Sequence, residues 1–181
     1  MKKVIVIIVS CLCIIGLFCL VGCGDTGITS NSDSILSIAI DQMRTKENYT
    51  ITTTVESLAT GISSEKIEKV TVSDDTITVV TTYKKPNEIG ADEAFTTTTE
   101  QATYNKDEFK GVALNVEDLT CTVDGNVIEV ELTSSAEVES VFGLKEVDAA
   151  CLKIKMKNNA FEYLTYNYVT SNQNKVTVTV K

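Results

Sequence analysis

The chain has 181 residues, with 16 basic against 25 acidic side chains, a formal net charge of −9 and no histidine. Without histidine the commonest general base and the commonest metal ligand are both missing. So acidic a surface repels nucleic acid and anionic headgroups, which excludes both as expected partners. One proline, no tryptophan and many threonines and valines favour strands over helices.

The first residues read as an export signal. Met1-Lys2-Lys3 is followed by an apolar run from Val4 to Leu20, interrupted only by Ser10 and Gly16. A basic start, an apolar stretch and a small-residue site form the secretion pattern. The run also approaches the length of a membrane-spanning helix, so an uncleaved single-pass anchor is the competing reading.

Leu20-Val21-Gly22-Cys23 decides between them, because it resembles the bacterial lipobox. The resemblance implies thioether lipidation of the Cys23 sulfur and cleavage before that residue. Residues 1–22 are then the signal peptide, 23–32 the lipidated cysteine and a small, polar tether, and 33–181 a single β-rich domain. Two acyl chains, each contributing about 0.8 kcal/mol per buried methylene, anchor stably. The expected location is the extracytoplasmic face of a cell membrane. Loss of Lys2 and Lys3 leaves 14 basic against 25 acidic residues, a charge of −11.

A helix is predicted from Ser32 or Asp33 to about Thr45–Glu47, with Ile35, Leu36, Ala39, Ile40 and Met43 on one stripe. At Asn48 the period changes to two: Tyr49, Ile51, Thr53 and Val55 share a face. Further strands are expected over 65–72 and 76–83, with Ser73-Asp74-Asp75 turning between them and Lys84 to Asn87 as a loop. The threonine-dominated stretch 94–104 alternates weakly, as suits an edge strand or one lining a partly wet space. Residues 105–118 show no regular pattern.

Leu119–Val123 and Val127–Leu132 flank Asp124-Gly125-Asn126 as a hairpin. Ser134 to Phe142 reads as a short helix, with Ser134 and Glu137 as a capping box and Gly143 as its stop. Strands over 149–157, 160–170 and 175–181 end the chain as an antiparallel meander. On the first, Ala150, Leu152, Ile154 and Met156 oppose Lys153, Lys155 and Lys157. On the second, strict alternation puts Phe161 and Tyr163 on one face and Tyr166 and Tyr168 on the other.

This order is similar to that of the lipoprotein-carrier half-barrels of the LolA and LolB type. The resemblance rests on element order and implies a curved antiparallel sheet wrapped around helices and an apolar cavity. The expected class is α+β, mainly antiparallel β: a half-barrel meander with an N-terminal helix and one short inserted helix.

Candidate chemistry is sparse. Cys121 and Cys151 are the cysteines of the mature chain besides Cys23, and export favours a disulfide between them. Their strand faces oppose, which favours two separate thiols instead; both readings stand open. The acidic pairs Asp74-Asp75, Asp92-Glu93, Asp107-Glu108 and Glu117-Asp118 lack the oxygen spacing of a calcium loop, so no metal is expected. No nucleophile elbow, triad or phosphate loop is present, and the chain reads as non-enzymatic, without a cofactor. Three functions remain: a tethered module holding an apolar or lipid-like ligand, a surface protein that binds another protein, and, with least support, a carboxylate-dependent hydrolase. What separates the first two is whether the concave side of the sheet is hollow or filled.

Overall fold

The computed structural model describes residues 32–87, 94–109, 111–112, 114–116 and 119–181. The export signal, Cys23 and nearly all of the tether lie outside the described residues. No described helix is long and apolar enough to cross a membrane.

Among the described residues two helices and nine strands follow in the order α1 (Ser32–Arg44), β1 (Asn48–Ser57), β2 (Ser63–Val72), β3 (Thr76–Pro86), β4 (Phe95–Asn105), β5 (Thr122–Asp124), β6 (Val127–Leu132), α2 (Ser135–Phe142), β7 (Ala150–Lys157), β8 (Ala160–Val169) and β9 (Asn174–Val180). All strands join one antiparallel sheet in the order β4-β3-β2-β1-β9-β8-β7-β6-β5. The sheet is a curved half-barrel that does not close, with β4 and β5 as its edges. Residues 31–181 form one compact unit that holds the sheet, both helices and their whole core. A segment with a complete core folds on its own.

The two-residue period sorts each strand into faces, and antiparallel pairing carries the sorting across the sheet. One inner row runs Ile154, Leu164, Val180, Ile51 from β7 through β8 and β9 to β1. It then continues as Glu68, Thr81 and Glu100 on β2, β3 and β4. The inner face is therefore apolar over β6–β9 and β1 and partly polar on the β2–β4 wing. Helix α1 lays Leu36, Ala39 and Ile40, all fully buried, on the apolar half. The Gln42 side chain fixes its position: its amide oxygen accepts from Phe161 N at 2.8 Å and its nitrogen donates to Asn159 O at 3.2 Å.

Local chemistry explains the turns. Asn158 and Asn159 both have positive φ, 52° and 62°, as a two-residue hairpin of the favoured twist requires. At α2, Ser134 Oγ accepts from Glu137 N while the Glu137 carboxylate accepts from Ser134 N at 3.0 Å. Gly143 then closes the helix at φ 66°.

Three expectations need correction. Lys84, Lys85 and Pro86 continue β3 rather than forming a loop, because β4 pairs with them as far as Phe95. The first arm of the 119–132 hairpin shortens to three residues. On β8 a bulge interrupts the alternation: Lys155 faces Tyr163, but Met156 faces Phe161. The extra residue, Glu162, turns Phe161 to the core side with Leu164 and leaves Tyr163 outside.

Leu164 is wholly buried in the centre of this face. Leu164→Ala should cost about 2–5 kcal/mol, whereas Tyr163→Ala should stay within about 1 kcal/mol. Urea unfolding of both variants measures the difference, and equal losses would mean the bulge is misplaced.

Candidate ligand cavity

Where α1 ends, the concave side is not filled. A cavity of about 360 Å³ opens there between the helix end and the sheet, within the size range of small-ligand sites. Its floor is Tyr49 on β1, Val72 on β2, Ile77 on β3 and Val180 on β9; Met43 and Arg44 form the helical wall. The fourth side comes from the irregular chain after β4, through Lys106, Phe109, Gly111 and Val112.

That irregular segment is held at several points. Lys106 N donates to Asp75 O at 3.1 Å, tying it to the β2–β3 turn. The Phe109 ring rests on Tyr104, with centroids 5.6 Å apart. Further along, Leu114 is buried, its carbonyl accepts from Arg44 Nη2 at 2.8 Å, and Asn115 N donates to Val141 O at 3.0 Å. Gly111 sits at φ 50°, and a Cβ there would lie 3.2 Å from Tyr49 Oη and 3.3 Å from Phe109 Cε1. Glycine meets both demands, the left-handed backbone and the close approach. Burial, with the Glu68 carboxylate adding to it, pushes the Tyr49 hydroxyl up, so it stays a neutral hydrogen-bonding group.

Beside α2 the concave side is filled. Phe142 of α2 stacks on Tyr166 at 4.5 Å, and Tyr166 lies 6.4 Å from Tyr168. Burial, then the neighbouring Tyr168, pushes the Tyr166 hydroxyl up to about 12. Of the two aromatic pairs expected on this strand, Tyr166 and Tyr168 thus pack against the core. A larger cleft of about 580 Å³ has three carboxylates, Glu131, Glu146 and Asp148, among its lining residues, whereas the cavity at the end of α1 has none among its described lining residues. Among the described residues no cluster of acidic or sulfur side chains has metal-binding geometry.

Cys121 and Cys151 are not joined in the structure. Cys151 lies on β7, opposite Glu131 of β6, while Cys121 precedes β5, one strand further out. Two strand spacings place their backbones about 9–10 Å apart, past the reach of a disulfide. The faces differ as well: Cys121 packs against the core, whereas Cys151 donates to Glu129 Oε1 at 3.3 Å on the outer face. Glu129 also binds Lys153 at 2.7 Å. Burial and the Glu129 carboxylate push the Cys151 thiol up to about 11.

No protein-family profile matches the chain, and no curated protein does. Among solved structures it is similar to a redesigned beta barrel, b11L5F_LGL, at 12% identity and TM-score 0.24, covering 86% of this chain and 97% of that one. It is also similar to a redesigned beta barrel, mFAP1, bound to DFHBI, at 16% identity and TM-score 0.23, covering 73% and 91%. At these scores the site rests on its own geometry.

Sequence reasoning named none of the cavity residues as a site. The one available signal was the length of the irregular stretch at 105–118, since long loops without structure of their own are commonly functional.

Because the thiolate is the reacting form, a thiol titrating near 11 is about one part in a thousand ionised at pH 8. Iodoacetamide should therefore label Cys151 slowly at pH 8, with the rate rising steeply towards pH 11. In denaturant without reductant, both Cys121 and Cys151 should be alkylated; peptide mapping that found them linked would overturn the unbridged arrangement.

Proposed function

We propose that the protein is a lipoprotein anchored through Cys23 on the extracytoplasmic face of a cell membrane. There it acts as a non-enzymatic binding module for an apolar or lipid-like molecule. Leu20-Val21-Gly22-Cys23 at the end of the apolar run supports the anchor. The observation that carries the binding reading is the unfilled space between α1 and the sheet, walled by Met43, Val72, Ile77, Phe109, Val112 and Val180. Apolar walls around empty space favour an apolar occupant, because binding removes both surfaces from water.

One observation favours a second reading, that of a surface protein that binds another protein. Strand β4 is an edge of eleven residues, almost all exposed, in unbroken register with β3. An edge of that length is a ready template for a partner strand.

Two measurements test the first reading. Mass spectrometry of the native protein should find a diacylated amino terminus at Cys23; an intact start at Met1 with an unmodified thiol would sink the anchor. Val112→Trp places a large ring at the cavity wall and should weaken binding of the neutral fluorophore N-phenyl-1-naphthylamine on the order of tenfold, while the melting temperature stays within a few degrees. Unchanged binding would place the occupant elsewhere.

A further inference from the structure

The lining of the cavity departs from the charge of the whole chain in a direction that names a ligand. Acidic residues outnumber basic ones 25 to 16, yet the ionised side chains among the described lining residues, Arg44 and Lys106, are both cations. No carboxylate stands among the described lining residues. The two cations come from different elements, Arg44 from the last turn of α1 and Lys106 from the segment just past β4.

Each is placed independently of any ligand. The guanidinium of Arg44 is held by the Leu114 carbonyl at 2.8 Å, and its nearest carboxylate, Asp41, is 3.8 Å away and two-thirds exposed. Such a pair contributes little and leaves donors unspent. Lys106 is fixed through its backbone to Asp75 O, and its ammonium forms no ion pair among the described residues. The neutral Tyr49 hydroxyl also lines the cavity, a further hydrogen-bonding group.

We infer that the cavity takes a single-chain amphiphile with an anionic head. The alkyl chain lies against Met43, Val72, Ile77 and Val180, and the carboxylate or phosphate lies between Arg44 and Lys106. Two cations walling an apolar space attract a negative head over a neutral or positive one, most strongly at low salt. The inference rests on the reading of the cavity as a binding site and deepens it by naming the charge of the occupant.

Displacement of N-phenyl-1-naphthylamine from residues 31–181 tests it, with four competitors that share a twelve-carbon chain. Dodecanoate and dodecyl phosphate should displace the fluorophore at concentrations roughly tenfold below dodecan-1-ol, with dodecyltrimethylammonium weakest. The better of the two anions tells a fatty-acid head from a phosphate head. Lys106→Gln, which keeps the backbone bond to Asp75, should weaken dodecanoate roughly threefold and dodecan-1-ol by less. Lys106→Glu should remove the anion's advantage, whereas Arg44→Lys, which keeps the charge, should retain most of it. Equal displacement by carboxylate, alcohol and ammonium overturns the inference while the cavity stands. Failure of the fluorophore to bind, or binding indifferent to Val112→Trp, removes the cavity and the headgroup together.

Discussion

The pairing of β1 with β9 is the constraint on which the rest of the structure depends. Strands β1–β4 form one meander and β5–β9 another, and these two strands are where they join. Their register sets Ile51 against Val180, Thr53 against Val178 and Val55 against Val176, and reciprocal bonds between Thr50 and Lys181 at 2.9 and 3.0 Å close its end. A slip of one residue would turn Val176, Val178 and Val180 to solvent and remove the centre of the core. The seam also builds the cavity floor, since Tyr49 and Val180 come from its two sides. Neither meander holds a complete site.

From that seam, the placement of the hollow follows from how little the helices can cover. Helix α1 spans thirteen residues and α2 eight, too few to roof the inner face of nine strands. The aromatic stack of Phe142, Tyr166 and Tyr168 fills the space by α2. At the end of α1 Tyr49 and Phe109 line the space without closing it, and the described residues after β4 form its remaining side. The hollow is what remains between an α-helix that has ended and a sheet that continues.

Much of this was legible from local patterns. The α1 stripe, the inward faces of β1, β7 and β9, the capping box at Ser134 and the Asn158-Asn159 turn are each written in a few adjacent residues, and the structure has them where the patterns put them. What failed was non-local. The bulge at Glu162 leaves no mark in composition, and only the pairing of Met156 with Phe161 reveals it. The opposed faces of Cys121 and Cys151 were legible in the alternation, whereas the strand that stands between them was not. The described wall residues Lys106, Phe109, Gly111 and Val112 follow no strand or helix period: Lys106 is held by Asp75 and Phe109 rests on Tyr104.

The polar part of the wing gives the cavity its limit. On β1 and β2 the inner row changes from Ile51 to Glu68, and the next from Thr53 to Lys66. Lys66 and Glu68 bind each other at 2.8 Å, and beyond them Tyr83 donates to Glu100 at 3.0 Å. These groups satisfy one another, so they stand on the concave side without a large desolvation cost. An alkyl chain laid over them would strip their water and return no hydrogen bond. The cavity floor beside them is Tyr49, Val72, Ile77 and Val180, at the end of the sheet where Arg44 and Lys106 also stand. Concave shape alone would admit a ligand along the whole wing; the polarity of two inner rows confines it to the cationic end.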